Sequence, residues 1–391
     1  MARGFINSVK FEWQLAVKEK MIFIVIFLIP LLTNIMLGYE LSGNQLKNIP
    51  MAVCDLDNSS LSRMIVQEFS DNETFKVKYF LNTPGDMEKL FNENRVRVGM
   101  VIPPDFHKDV VEMKSPTILM IYDGSHMPMA SAAKTRASEI LMTLKTGMLI
   151  KLIEAKLNVP QETAEKMALA VGFSNRTLYN PTRGYKNFLN IGLGAAIVQS
   201  GIALMASTAF RKNEVKGHPA EIPGHIAGKI TFYGLAGFLS LMMTVMLQKE
   251  VFSIPFRGNF TGAVLLSLLF SFSVASCGLL ISVLVKNEML STLAAAVLFV
   301  PDTILVGYTW PVIAMPDIYQ RLARYIPFYH YADNLRDMFL KGTNLSYMGR
   351  DMAWLEWAIA VTTLFSVLIG MARIKMEVSA QTGGGGENAA L

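Results

Sequence analysis

The sequence predicts a polytopic α-helical membrane protein with six transmembrane helices and a mixed α/β extracytoplasmic domain inserted after the first. Three observations predict it. Long apolar stretches carry almost no charge, basic residues cluster between alternate pairs of them, and one polar insert alternates strand and helix patterns. Of 391 residues, 52% are apolar and 17% charged, against roughly a quarter charged in soluble domains. Residues 21–39, 187–210, 230–248, 258–285 and 289–316 each approach or exceed the ~18 apolar residues that span hydrocarbon. A sixth stretch, 357–372, is shorter, and Trp354 and Trp357 extend it at headgroup level. No ionisable side chain is expected well inside these spans, which argues against a proton-coupled antiporter.

Orientation follows from the basic residues. Arg3, Lys10, Lys18 and Lys20 precede the first span. Arg211, Lys212, Lys216 and Lys229 follow the second, Lys286 the fourth, and Arg373 and Lys375 the sixth. Six spans put all of these on one side, the cytoplasm by the positive-inside rule. Both termini are then expected in the cytoplasm, and residues 41–185 face outward. The first apolar stretch is too long for a signal peptide and reads as a retained helix. Cys54 and Cys277 fall in the insert and in a span, so no bridge between them is expected. The net charge of +5 fits topology lysines, not nucleic-acid binding.

Residues 1–20 read as an amphipathic interfacial helix. Phe5, Ile6, Val9, Trp13, Ala16 and Val17 fall within an arc of about 120°, opposite Asn7, Lys10, Gln14 and Lys18. Such a helix lies in the membrane surface. In the insert, 49–55, 75–80, 97–102 and 117–122 read as strands. Helical patterns intervene: Leu61, Met64, Ile65 and Phe69 behind Ser59 and Ser60 as caps, then Met87, Leu90 and Phe91 behind Thr83-Pro84, then Phe106, Val110 and Met113. From 127 to 171 the pattern is helical, broken near 158–160. Alternating strands and helices predict a mainly parallel sheet with a helical stalk. Residues 186–373 hold the other five spans, and 374–391, with four consecutive glycines, read as a flexible cytoplasmic tail.

Chemistry is sparse. Gly224-His225-Ile226-Ala227-Gly228-Lys229-Ile230 is one residue short between its glycines for a phosphate loop. It also lacks the magnesium-binding Ser or Thr and runs into a span instead of following a strand. No HExxH, paired CxxC or GxSxG occurs. His126-Met127-Pro128-Met129 offers soft ligands for monovalent copper, but in a chain with 25 methionines Met is an ordinary helix filler. No catalytic residue, metal site or cofactor is therefore assigned.

Several passages resemble the permease subunits of type-2 ABC exporters, in the branch with a large outer domain between the first two spans. Val53-Cys54-Asp55-Leu56-Asp57-Asn58-Ser59-Ser60-Leu61-Ser62-Arg63 is similar to the family's strand-to-helix turn. Gly99-Met100-Val101-Ile102-Pro103-Pro104-Asp105-Phe106, Tyr122-Asp123-Gly124-Ser125 and Tyr179-Asn180-Pro181 follow in the family's order. Gly307-Tyr308-Thr309-Trp310-Pro311 with Ala314-Met315-Pro316, then Ile326-Pro327-Phe328-Tyr329-His330-Tyr331 and Leu335-Arg336, complete the set over nearly the whole chain. One departure stands out: the family's Pro-Gly opening of the second span reads Asn190-Ile191-Gly192 here.

The resemblance implies a non-enzymatic permease subunit of an ATP-driven exporter of amphipathic or hydrophobic cargo: drug, peptide or lipid. ATP and magnesium would sit on a separate ABC ATPase subunit. A second permease copy or paralogue and the lipid bilayer are further expected partners, and a periplasmic adaptor is an open option. Carried over from the family, Glu12, Arg211, Lys212 and Glu214 are expected ATPase contacts. Residues 309–342, broken by Pro311, Pro316 and Pro327, are expected to form a re-entrant outer gate with Met315 and Tyr329, because non-helical backbone at that depth needs a protein or water lining. The alternative reading is a membrane-anchored sensor whose outer domain binds a ligand.

Overall fold

The computed structural model describes residues 2–43, 45–170, 176–210 and 219–383. Its residues divide into two compact units, Gln45–Arg176 and the remainder of the chain.

The chain opens with α1 (Ala2–Glu19), ended at Lys20 in the left-handed region. The apolar α2 (Met21–Glu40) follows, with one wide π turn at Ile24–Leu28.

The insert is a layered α/β unit. Its elements are β1 (Ile49–Asp55), α3 (Ser60–Asp71), β2 (Phe75–Leu81), α4 (Gly85–Asn92), β3 (Val98–Ile102), α5 (Phe106–Val111) and β4 (Leu119–Tyr122). The long α6 (Met127–Leu157) and the short α7 (Gln161–Ala168) follow. The sheet order is β2-β1-β3-β4. β1 pairs parallel to β2 and β3, and β4 pairs antiparallel to β3. Local chemistry explains the α3 start: the Ser59 side chain accepts from the Ser62 backbone N–H at 3.1 Å, an N-cap. Asp55 reinforces that turn, accepting from the Asp57 and Asn58 N–H groups and from the Ser62 hydroxyl. One sheet face packs Ile65 and Phe69 of α3 with Ala133 and Ala137 of α6; the other packs Met87 and Leu90 of α4 against Ala52 and Cys54. Asn158, left-handed at φ 52°, separates α6 from α7.

The remaining elements are α8 (Lys186–Ala206), α9 (Ile222–Val251), α10 (Phe260–Leu284), α11 (Glu288–Phe299), the short α12 (Asp302–Leu305), α13 (Asp317–Ala323), α14 (Tyr329–Leu340) and α15 (Leu345–Gly383). Among the described residues, six helical segments are long and apolar enough to cross a membrane: α2, α8, α9, α10, Glu288–Leu305 and the Leu345–Met376 part of α15. α8 and α10 are the most buried of these, α11 and α15 the least. Hydroxyls bond across the bundle, Ser240 to the Ile26 carbonyl at 2.6 Å and Ser291 to the Ser207 carbonyl at 2.5 Å, as expected where water is excluded.

Two expectations change here. The sixth span is longer than residues 357–372, and the expected tail, 374–391, is helical as far as Gly383. No Gly or Pro interrupts the sequence between Arg373 and the glycine run. Arg373 also holds that end, donating to the Val283 carbonyl at 3.1 Å with its guanidinium 5.3 Å from the Phe210 ring.

Candidate functional site

Two regions of the membrane unit concentrate buried polar groups, and the first is the seam between α1 and α9. α1 carries two stripes. Ile6, Trp13 and Val17 of the apolar arc are exposed, matching a surface that meets lipid. A second stripe, Gly4, Ser8, Glu12 and Ala16, is buried at i, i+4 spacing. Small residues let the two backbones approach: a Cβ on Gly228 would lie 2.7 Å from the Phe5 carbonyl oxygen, and one on Gly4 would lie 2.9 Å from that of Glu221.

Glu12 and Lys229 are both fully buried in this seam. Lys229 Nζ donates to Glu12 Oε1 at 2.5 Å, and the Tyr233 hydroxyl donates to Glu12 Oε2 at 2.7 Å. Ser8 Oγ and His225 Nδ1 meet one turn earlier at 2.5 Å, and Lys229 Nζ lies 5.6 Å from the Phe11 ring. A buried carboxylate survives only when its lone pairs are matched in this way. Glu12, expected as a contact for a partner ATPase, therefore points inward, because burial commits its carboxylate to α9. The other three expected contacts, Arg211, Lys212 and Glu214, lie outside the described residues. The near-match phosphate loop is plain α9 helix, with Gly228 a close-approach point and Lys229 paired.

The second region runs from α11 to the start of α15. Pro301 breaks the helix, and Asp302 just beyond is fully buried, accepting from the Gln199 side chain of α8. Asp302 and Lys229 overturn the expectation that no ionisable group lies inside a span. The argument against proton coupling that rested on it loses its footing. Gly307 (φ 87°) then turns Tyr308 into the core. The Tyr308 hydroxyl donates to the Phe188 carbonyl at 2.7 Å and accepts from the Gly192 N–H at 2.7 Å. The Arg336 guanidinium lies 4.7 Å from the Tyr308 ring and 4.9 Å from that of Phe188. This explains the departure at Asn190-Ile191-Gly192. Without the proline, Lys186–Asn190 forms a π turn, while a Cβ on Gly192 would meet the Tyr308 ring at 2.2 Å.

The C-terminal part of this region is equally anchored. Tyr331 stacks on Phe270 at 4.0 Å and shares a 2.9 Å hydrogen bond with Ser267. His330 bonds Asp351 through Nδ1 at 2.7 Å and the Arg324 carbonyl through Nε2 at 2.9 Å, and its ring stacks on Trp354 at 4.0 Å. The five expected gate residues divide. Pro327 is buried at the approach to α14 and Tyr329 is half-buried, 5.1 Å from the His330 ring. Pro311 and Pro316 are exposed and Met315 half-buried around a short 3₁₀ turn, Val312–Ala314. Missed in the sequence were Ser8, His225, Lys229 and Tyr233 opposite Glu12, and Tyr308 with Arg336. The 4-8-12-16 and 225-229-233 spacings were visible signals for the first group.

Among the described residues, no group of three or more His, Cys, Asp or Glu side chains is placed to hold a metal ion. Residues 20–368 match the model of a family described as ABC-2 family transporter protein. The chain is 22% identical over 346 residues to the probable multidrug ABC transporter permease YbhR of Escherichia coli, covering 86% of this chain and 89% of that one. It is 22% identical over 320 residues to the inner membrane transport permease YhhJ of Escherichia coli, covering 78% and 79%. With the linearmycin resistance permease protein LnrN of Bacillus subtilis it shares 24% over 343 residues, covering 81% and 86%. No solved structure matches it.

Proposed function

We infer, because this chain belongs to the ABC-2 transporter family, that it works as the permease half of an ATP-driven exporter in a bacterial cytoplasmic membrane. As an ABC permease it is an integral membrane protein with six apolar helices. Beyond that, the proposal is that a separate ATPase subunit docks on the cytoplasmic side, against α1 and the loop containing Arg211, Lys212 and Glu214. A second copy or a paralogue would complete the path, and the Gln45–Arg176 unit would lie outside.

The observation that carries this reading is the seam between α1 and α9. A surface helix whose buried Glu12 is bound to Lys229 and Tyr233 of a spanning helix cannot be displaced without moving that helix. Force applied to α1 from the cytoplasm would pass into the bundle and on to the Tyr308–Arg336 region, the proposed outer gate. The wide apolar faces of the spans favour amphipathic or hydrophobic cargo. The names of the relatives, a probable multidrug permease and a linearmycin resistance permease, support small organic molecules as its class.

The test is co-purification at near-native expression. An ABC ATPase should be recovered with the chain, and its ATP hydrolysis should rise with amphipathic compounds in proteoliposomes. Recovery of no ATPase, or ATP turnover indifferent to every such compound, sinks the proposal.

A further inference from the structure

The Gln45–Arg176 unit contains a cavity that neither the seam nor the gate uses. It occupies about 610 Å³ and is walled by α5, the segment leading into β4, and the middle of α6. Ligand pockets are typically ~300–1,000 Å³, mostly apolar, with a few convergent polar groups. The lining fits that description: Phe106, Ile118, Leu144 and Leu152 among other apolar side chains, with Lys145 the single charged group among the described residues. Ser115 and Thr117 add hydroxyls, and among the described residues no acidic side chain is part of the lining.

The folding of α6 explains why the cavity exists. Its apolar stripe begins at Ala133 and Ala137, both fully buried against the sheet core. The stripe continues through Leu141, Leu144 and Met148, partly buried against the same core, to Leu152, and these four side chains form one wall of the cavity. The opposing wall is held open by two non-glycine residues in the left-handed region, Met113 at φ 59° and Ser115 at φ 55°. Such conformations are unfavourable for non-glycine residues and persist where the surroundings require them.

We propose that this cavity binds a single-chain amphiphile with an anionic head, the hydrocarbon chain lying along the α6 stripe and the carboxylate or phosphate meeting Lys145. The sign of the charge selects the ligand. One cation and two hydroxyls, without an opposing carboxylate, attract an anionic head and reject a cationic one. The proposal does not depend on export: the pocket belongs to this unit whatever the membrane unit moves.

The test uses the full chain in phosphatidylcholine nanodiscs with a diazirine-bearing fatty acid and, separately, the corresponding fatty alcohol. After photolysis, mass spectrometry should find the acid on peptides covering residues 106–118 and 141–152, displaced by unlabelled fatty acid. Lys145→Gln should weaken apparent affinity for the acid about tenfold, the value of one charge-assisted hydrogen bond, and leave the alcohol unchanged. Leu144→Trp should abolish labelling by both, and Leu152→Trp at the end of the stripe provides the same readout should Leu144→Trp fail to fold. Labelling of the spanning helices serves as the lipid-partition control in every variant. Label confined to those helices overturns the proposal. So does an acid signal that ignores Lys145→Gln, or cross-links showing a second copy of the chain in the cavity.

Discussion

Two carboxylates in this chain solve the same problem in different surroundings. Glu12 is matched by Lys229 and the Tyr233 hydroxyl; Asp123 is matched by Arg97 and the Ser125 hydroxyl. Side chains of the first pair are 1% exposed, those of the second 18% and 14%. Water can still reach Asp123 if Arg97 leaves, but nothing replaces Lys229. The comparison teaches that the membrane unit depends on its ion pair, whereas the α/β unit is only tuned by one.

The largest expected effect follows directly. Lys229→Met strands a buried carboxylate and should cost about 3–5 kcal/mol, the penalty for removing one partner of a buried pair. The double variant Glu12→Met with Lys229→Met should recover most of it, since apolar replacements of both partners are often neutral. Thermal unfolding in detergent, run on the two single variants and the double, measures the difference. A double variant no better than Lys229→Met alone would mean that the pair is not what holds α1 to α9. Next in size is Gly192→Ala, whose methyl group must displace the Tyr308 ring. Overpacking of this kind costs about 1–3 kcal/mol, and the same melt should show it, with relief when Tyr308 is shortened to Leu. Tyr233→Phe should fall in a similar range, about 1–3 kcal/mol, because it leaves one lone pair of Glu12 unmatched.

The same contrast decides what was legible in the sequence. The strands of the α/β unit were readable to within a residue or two: β1 spans Ile49–Asp55 as expected, and Ser59 caps α3. Its information is local, carried by caps, turns and alternation within a few residues. The existence of the spans was readable too, because hydropathy is a property of a window, but their ends were not: the sixth runs over Leu345–Met376 and the fifth ends at Leu305, short of residue 316. The seam was not, since Glu12 and Lys229 are 217 positions apart and each looks like an isolated topology charge. Read alone, the apolar arc of α1 suggested a helix lying in the membrane surface. Only the packing reveals that Gly4, Ser8, Glu12 and Ala16 form a second, inward stripe. Asp302 was hidden likewise: its match is Gln199, on another helix. The 4-8-12-16 and 225-229-233 spacings mark a polar face on each helix, but nothing in either segment says which distant helix that face meets.

The smallest expected effect sharpens the comparison from the wetter side. Hydrogen bonds from the Ser125 hydroxyl, from Arg97 and from the Ser125 backbone N–H hold the Asp123 carboxyl down at about 2, against ~3.9 in an unfolded chain. A carboxylate depressed in the folded state contributes stability that is complete above the unfolded value and disappears as pH falls through the folded one. Asp123→Asn should therefore destabilise the α/β unit at neutral pH, and its deficit relative to wild type should shrink as pH drops from about 4 to about 2. Cys54, fully buried in β1 beside β3, supplies the readout. In a Cys277→Ala background, its exposure to dithiodipyridine in rising urea reports opening of this sheet, and that reagent still reacts in acid. A deficit that stays constant across the acid range would show that Asp123 acts through packing and not through its charge, and the two carboxylates would then differ in kind as well as in access to water.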